Sequence, residues 1–401
     1  MNAFNLDDTD LEARLAPPPG ADYPAGGRQT QISATPFLWT DPAAIPRRQW
    51  VYGHHLIRRF VSLTAAQGGA GKSSLLIADA LSIASGRDIV GTPVYGGPCR
   101  VWLWNLEDPM DELQRRIAAT AQHYGITEAE IGGRLFVDSG RQQGLCLATQ
   151  DHNGTRIVEP VADALIAEIK AHSIDVLMVD PFVSSHGVPE NDNGAIDMVA
   201  KKWGAIADQT GCAIEIVHHL RKLQGAEATA EASRGAIALV AAARSVRVLN
   251  RMTEDEAAKA GLEGPRGYFR VADDKNNLAA PSNAADWFHL QSVLLANGDE
   301  VGVVTPWQWP DPFEEVTTAD LLAVQQAIDG KGYRLSSQAK DWVGNAIANV
   351  LGLDAADKAA KSRITGMIKT WLNNGVLVKL EVEDEMRRKR PAVAVGRWAD
   401  A

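Results

Sequence analysis

The feature that most constrains this chain is a glycine-rich turn between an apolar run and a helix-like run. Residues 66–73 read Ala-Gln-Gly-Gly-Ala-Gly-Lys-Ser. The preceding run FVSLTAA (60–66) has the length and composition of a short buried strand, and the following run SSLLIADALSIASG (73–86) has helical apolar spacing and ends at a glycine. The stretch fits the P-loop pattern G-x-x-x-x-G-K-[ST], except that Ala66 stands in place of the first glycine.

This turn predicts a site for ATP and Mg²⁺. Successive backbone N–H groups and the N-terminus of the following helix form a cradle for phosphates. Lys72 is expected to reach the terminal phosphates and Ser73 to bind Mg²⁺. The candidate nucleotide-binding residues of the turn are Gln67, Gly68, Gly69, Ala70, Gly71, Lys72, Ser73 and Ser74.

Strand-like and helix-like segments alternate after the turn, which predicts an α/β fold with a doubly wound, mostly parallel sheet. The strand-like segments include VWLWN (101–105), IDVLMVD (174–180) and CAIEIVHH (212–219). Asn153-Gly154 predicts a hairpin.

Three later segments are each interpreted as a strand that extends the sheet: SVRVLNRM, GYFRVADD and VLLANGDEVGVV (293–304). Between the first two, the run TEDE (253–256) has the spacing of a capping box and predicts the start of a short helix.

Carboxylates at strand ends are the candidates for the remaining chemistry of an ATPase. Asp180 ends a buried strand, at the position of the acid that serves the metal ion. Glu107 and Asp108 end another strand-like segment, and either carboxylate is a candidate for orienting water. At a third strand end, one of His218 and His219 is expected near the terminal phosphate, because adjacent strand residues point to opposite faces.

The pattern changes near Pro310–Pro312 and indicates a second domain. Three helix-like segments are followed by two strand-like segments joined by a basic turn, which is the order of a winged helix. The predicted organisation is a flexible N-terminal arm (1–35), an ATPase core (36–312) and a small winged-helix domain (313–401).

Composition limits the class of protein and the nature of its partners. The chain carries a net charge of −10, yet residues 358–398 hold ten Lys or Arg and four Asp or Glu, which suggests a local site for a polyanion. The three cysteines are far apart and are expected to be reduced thiols in a cytoplasmic protein. We expect neither a secretory signal nor a membrane span, because the sequence has no apolar run of the required length.

Taken together, these motifs resemble the RepA-like hexameric helicase ATPases, a branch of the RecA/DnaB class of P-loop proteins. The resemblance extends from about Pro36 to Pro306 and rests on GGAGKSSL, on EDP (107–109), on the apolar run ending at Asp180, on ADQTGCAI followed by VHH, on EASRGAIALVAAAR and on DKNNLAAP. It implies a RecA-like core whose copies assemble into a hexameric ring.

The resemblance also implies roles for single residues. Glu107 matches the glutamate that activates water, Asp180 the acid for Mg²⁺, and His218 or His219 the sensor of nucleotide state. Arg244 matches an arginine that acts across the subunit interface, with Arg234 as a rival. Lys275 matches a lysine that contacts the γ-phosphate, but Asn277 stands where DnaB-type relatives have an arginine.

The C-terminal segment adds candidate DNA contacts. The run AAKSRITGMIKTWLNNG is the expected recognition helix, and the basic turn is the expected wing. A wing that binds protein is the alternative. The candidate DNA-binding residues are Lys361, Arg363, Lys369, Arg387, Arg388, Lys389 and Arg390.

The predicted function is Mg²⁺-dependent ATP hydrolysis by a motor that unwinds or translocates DNA in plasmid, phage or mobile-element replication. Two alternatives stay open: an ATP-controlled DNA-binding regulator without translocation, and a signalling or defence ATPase whose tail binds protein. A DNA-translocating ring needs basic loops, and the loop with Arg221 and Lys222 is a weak candidate for one.

Overall fold

The computed structural model describes residues 34–220, 227–229, 236–280, 285–383 and 388–400. Most of the predicted N-terminal arm, together with Arg221, Lys222, Arg234 and Arg387, therefore lies outside the described residues. Residues 34–47 belong to a separate unit and contain one short 3₁₀ helix, Pro42–Ala44, which Asp41 caps. Residues 48–401 form one compact unit.

Nine of the described strands form one sheet, and its order fixes where the functional side chains meet. The spatial order is β13 (Glu300–Trp307), β12 (Asp286–Leu294), β11 (Tyr268–Asn276), β10 (Ser245–Arg251), β3 (Val61–Gln67), β9 (Ala213–Leu220), β8 (Val176–Asp180), β4 (Val101–Asn105) and β5 (Leu135–Ser139). Two-stranded sheets are formed by β1 (Trp50–Tyr52) with β2 (Leu56–Ile57) and by β6 (Ala148–Asp151) with β7 (Gly154–Ile157).

Strand direction divides the large sheet into two parts. The strands from β10 to β5 run parallel, so their carboxyl ends lie at one edge of the sheet. The strands β11, β12 and β13 are antiparallel to their neighbours. The large, mostly parallel sheet with its helices confirms the predicted α/β P-loop core.

Helices cover the sheet because their apolar stripes and the sheet faces bury each other. The helices of this part are α1 (Lys72–Ser85), α2 (Met110–Tyr124), α3 (Glu128–Ile131), α4 (Glu159–Ala171), α5 (Asn193–Thr210), α6 (Ala236–Ala242) and α7 (Glu254–Lys259). One core contains Leu75, Leu76 and Ile83 of α1, and another contains Leu165 of α4 and Trp203 of α5. None of the described helices is long and apolar enough to cross a bilayer.

A chain of buried polar side chains crosses the core beneath the carboxyl edge. Arg247 Nη2 lies 2.6 Å from Asp79 Oδ2, and Arg247 Nε donates to Thr64 Oγ1. His55 Nε2 lies 2.8 Å from Glu215 Oε2. Burial raises the pKa of Glu215, but the charges of His55 and Arg247 outweigh burial and hold that pKa below its ordinary value.

The C-terminal segment packs around a hydrophobic cluster of its own, which includes Trp342, Ile347 and Trp371. Its elements are α8 (Thr318–Ile328), α9 (Val343–Leu351), α10 (Lys358–Asn373), β14 (Leu377–Glu383) and β15 (Lys389–Val395), and the two strands pair in antiparallel fashion. The order of elements matches the sequence prediction, whereas the predicted domain boundaries stay predictions.

A predicted hairpin and a predicted strand have different outcomes. The hairpin predicted at Asn153-Gly154 is confirmed, because it joins β6 and β7. The single strand predicted over 293–304 is wrong: β12 ends at Leu294, and β13 begins at Glu300. Gly298 adopts a φ of +91° in the intervening turn, a conformation that glycine reaches at little cost.

Candidate functional site

The P-loop lies at the carboxyl edge of the sheet, between β3 and α1. Gly69 and Gly71 have φ values of +70° and +93°, and a Cβ on Gly71 would lie 2.9 Å from the Phe269 ring. No described side chain caps α1 through a hydrogen bond, and the first N–H groups of a helix lack acceptors within it. Ala66, which replaces the first glycine of the pattern, is buried at the end of β3. The turn thus presents backbone donors for phosphate despite that substitution.

The two predicted metal-binding residues meet. Ser73 Oγ donates to Asp180 Oδ2 across 2.6 Å, and Asp180 is only 3% exposed. These oxygens suit Mg²⁺, which proteins commonly hold through one or two carboxylates together with substrate phosphates. Among the described residues, no group of three or more His, Cys, Asp or Glu side chains could hold a metal ion. The hydroxyl of Ser73 and the carboxylate of Asp180 suit a metal ion that is shared with the phosphates of a nucleotide.

A tight turn after β4 presents the two candidate water-orienting acids. Asn105 Oδ1 accepts hydrogen bonds from the N–H groups of Glu107 and Asp108 at 3.0 and 2.7 Å. Asp108 forms an ion pair of 2.9 Å with Arg116. The Glu107 side chain is 55% exposed, and one of its oxygens lies 4.0 Å from His219 Nε2. Asp108 is thus held in an ion pair, whereas the Glu107 carboxylate is exposed near His219.

The structure distinguishes the two neighbouring histidines. Burial and then the Lys72 ammonium lower the pKa of His219, while the carboxylates of Glu107 and Asp180 oppose that shift. His219 is also the histidine whose Nε2 lies 4.0 Å from Glu107, beside the P-loop strand β3. His218 is buried near Phe182, with ring centroids 6.3 Å apart, and burial lowers its pKa to about 4.

Several arginines lie beside the P-loop although the P-loop sequence pattern does not predict them. Arg251, the last residue of β10, donates a hydrogen bond to the carbonyl oxygen of Gly68. It lines a cavity with Gly69, Arg266 and Tyr268. A neighbouring cavity of 690 Å³ is lined by Lys72, Ser73 and Ser74 and by Arg115 and Arg116 of α2. Only the pairing of β10 with β3 and the packing of α2 reveal these residues, because they are distant in sequence.

Lys275 and Arg244 lie at the opposite edge of the sheet from the P-loop of their own chain. The Lys275 ammonium donates to the carbonyl oxygens of Val240, Ala241 and Ala243 and so caps the end of α6. Burial and the charge of Arg244 lower the pKa of Lys275. Its predicted contact with nucleotide is therefore not made within one chain, because its strand position places it at the wrong edge. Arg244 is exposed, and its guanidinium lies over the Phe60 ring.

The predicted DNA contacts on α10 differ from expectation at one position. Arg363 donates to the carbonyl oxygens of Pro312 and Glu314, so its guanidinium anchors the helix to the preceding segment instead of pointing into solvent. Lys361 Nζ lies 5.6 Å from the centre of the Trp342 ring, and Lys369 is exposed. On the hairpin, Arg388, Lys389 and Arg390 are exposed.

Comparison with protein families gives a match that covers this part of the chain. Residues 27–225 match the model of an AAA domain. This range contains the P-loop, the Glu107 turn, Asp180 and both histidines. The match supports an AAA-type ATPase of the P-loop superfamily, a class that binds nucleotide, typically together with Mg²⁺.

Proposed function

We propose that this chain is a Mg²⁺-dependent ATPase of the RepA/DnaB-like, ring-forming kind, and that it acts on DNA as a helicase or translocase in plasmid, phage or mobile-element replication. The observation that carries the hydrolytic part is the hydrogen bond of 2.6 Å between Ser73 and Asp180. It joins the P-loop to the acid at the end of β8, with Glu107 just beyond the end of the neighbouring strand β4.

Each residue near the P-loop has a task in this proposal. Lys72 places a positive charge among the phosphates, and Ser73 and Asp180 hold the metal ion. Bound Mg²⁺ supplies charge neutralisation for the transferred phosphoryl group. Glu107 orients the attacking water and accepts its proton, because its carboxylate is exposed and its neighbour Asp108 is paired with Arg116. His219 reports the nucleotide state to β9.

The position of Arg244 supports the proposed ring. Ser245 pairs with Ser62 of β3, five residues before Gln67, which corresponds to about 16 Å along the strand. Arg244 is thus too far from its own P-loop to neutralise charge there. An exposed arginine at this edge suits a contact with the nucleotide of a neighbouring subunit, whereas the three donors of the Lys275 ammonium beside it are used by carbonyl oxygens at the end of α6.

The test of the motor function is ATP turnover with and without single-stranded DNA. We expect turnover to require Mg²⁺ and to rise when single-stranded DNA is added. Glu107→Gln should lower turnover roughly 10²–10⁴-fold, which is the usual effect of removing a general base. The matched Asp108→Asn change should have a much smaller effect. Turnover that ignores single-stranded DNA would favour the regulator or the signalling ATPase over the motor.

We further propose that the C-terminal segment is a winged helix that binds duplex DNA through its basic hairpin. The exposure of Arg388, Lys389 and Arg390 supports this proposal, as does the excess positive charge of residues 358–398. Neutralising these three residues and Arg387 should flatten the log–log salt slope of duplex binding by at most about 3.6, or about 0.9 for each phosphate that is no longer neutralised.

A second set of variants controls for the change of charge alone. It neutralises four exposed cations of the ATPase core and should leave the slope unchanged: Arg59, Arg156, Lys170 and Lys201. Equal slopes for the hairpin variant and the wild type would instead favour a tail that binds protein.

A further inference from the structure

Asn105 connects the two acids of the site through a single side chain. Its Nδ2 lies 3.3 Å from Asp180 Oδ2, the same oxygen that accepts from Ser73. Its Oδ1 accepts from the N–H groups of both Glu107 and Asp108. Asn105 is 4% exposed, so these bonds form away from bulk water, where an unmade hydrogen bond is costly.

The backbone around Asn105 supports this connection. Asn105 and Asp180 are opposite each other in the register of β4 and β8, and Leu106 N–H donates to the Asp180 carbonyl at 2.7 Å. The far side of the turn is also held, because Ser139 Oγ donates to the Asp108 carbonyl and Arg141 Nε to the Glu107 carbonyl. These contacts fix the position of the turn. Of the groups named here, the Asn105 side chain alone contacts both the N–H groups of the turn and the carboxylate of Asp180.

We propose that Asn105 is a positioning residue that keeps the metal-binding carboxylate of Asp180 and the turn carrying Glu107 in one fixed geometry. This inference rests on the roles proposed above for Asp180 and Glu107. An amide suits the task because it donates through one atom and accepts through the other. A carboxylate cannot donate, and an apolar side chain can do neither. Removing a residue that orients a metal ligand typically costs about 10–100-fold in affinity or activity.

A double-mutant cycle on turnover tests the connection to Glu107. Asn105→Ala should lower turnover by roughly 10–100-fold in the wild-type background. With ATP and Mg²⁺ saturating, so that a weaker metal site does not limit turnover, the same change in the Glu107→Gln background should cost less than about threefold, because the water-orienting group that it positions is already disabled. An equal reduction in both backgrounds would overturn the proposal for this acid.

A cycle on binding tests the connection to Asp180 without relying on activity. The measurement is the affinity for a fluorescent ATP analogue with and without Mg²⁺. Asn105→Ala should leave the Mg²⁺-free affinity within about threefold and reduce the gain in affinity on adding Mg²⁺ by roughly tenfold. In an Asp180→Asn background, Asn105→Ala should not reduce that gain further. An undiminished Mg²⁺ effect in the single variant would refute this part.

Asn276 provides a matched control. Its Oδ1 accepts from the N–H groups two and three residues ahead, those of Leu278 and Ala279, and its Nδ2 donates to the His54 carbonyl. It repeats the bonding pattern of Asn105 at the end of β11, at the opposite edge of the sheet, with a backbone carbonyl in place of the carboxylate. Asn276→Ala should change neither turnover nor the Mg²⁺ effect by more than about threefold in any background.

A milder substitution covers the case in which Asn105→Ala fails to fold. A serine hydroxyl accepts from the turn more weakly than an amide and is too short to reach Asp180. Asn105→Ser should therefore reduce turnover less than Asn105→Ala does. Its gain in affinity on adding Mg²⁺ should be as small as that of Asn105→Ala, because the contact with Asp180 is lost in both variants. A serine variant with wild-type turnover and a wild-type Mg²⁺ effect would overturn the proposal. If Glu107→Gln alone leaves turnover intact, the proposed function of Glu107 fails, whereas the binding cycle still tests Asn105 against Asp180.

Discussion

Mixing two inactive variants should restore ATP turnover if Arg244 acts on the nucleotide of a neighbouring subunit. Arg244→Ala removes the arginine and leaves the P-loop, Glu107 and Asp180 of its own chain unchanged. Arginine fingers contribute on the order of 10³–10⁵ in rate, so this variant alone should have almost no turnover. Its affinity for ATP should change little, because about 16 Å of strand separates Arg244 from its own P-loop.

The size of the rescue follows from the arrangement of the interface. In a ring with head-to-tail contacts, each site joins Glu107 of one subunit to Arg244 of the next. If Arg244→Ala and Glu107→Gln chains are mixed equally and assemble at random, about one quarter of the interfaces combine an intact Glu107 with an intact Arg244. Turnover should then reach about one quarter of the wild-type rate, if sites act independently, and exceed either variant by at least roughly tenfold.

The assay is steady-state phosphate release across a series of mixing ratios, with a maximum expected at equal amounts. Arg59→Ala is the matched control, because Arg59 is an exposed arginine at the same edge, next to the Phe60 ring that Arg244 covers. It should have near wild-type turnover, since its partner is the surface residue Asp208. Subunit exchange must be shown separately by labelled chains. Exchange without any rescue would refute action across the interface.

Three further predictions concern binding and stability. Lys72→Ala should abolish nucleotide binding or turnover, because it removes the positive charge from the phosphate cradle; normal turnover in this variant would contradict the P-loop prediction. Arg247→Leu should lower the free energy of unfolding in urea by about 3–5 kcal/mol, because Asp79 and Glu215 stay buried without their cation; a decrease below about 1 kcal/mol would show that the remaining groups compensate. The pKa of His218 is about 4 in the folded protein and near 6.5 in the unfolded chain. Below pH 6.5 the unfolded chain therefore binds more protons than the folded protein. The free energy of unfolding should fall as the pH drops from 6.5 towards 4, by an amount on the order of 3 kcal/mol. Urea unfolding at pH 7 and pH 4.5 should show a smaller decrease in His218→Asn than in the wild type, and an unchanged pH dependence would contradict this reasoning.

Local motifs determined a large part of this protein. The P-loop needs only a strand, glycines that reach positive φ and a helix, and all three lie within about 25 residues, so the sequence pattern predicts it fully. Asp180 and Glu107 are predictable as strand-end acids for a similar reason, because parallel strands bring their carboxyl ends to one edge. The capping box at Thr253 and Glu256 likewise follows from spacing alone, and the structure confirms it.

Contacts between distant strands decided the rest. Alternation along β9 predicts that His218 and His219 face opposite sides, but only the position of β9 beside β3 brings His219 to Lys72. Lys275 lies at the wrong edge for its own nucleotide because β11 runs antiparallel to β10, a direction that a short apolar run does not encode. No sequence pattern predicts the role of Asn105, because that role depends on a contact with the side chain of Asp180. The two residues are 75 positions apart in the sequence, and strand pairing brings their side chains to within 3.3 Å. The spacing of a motif predicts contacts between residues that are close in the sequence. The partners of a buried polar side chain in a strand depend instead on the register of the sheet.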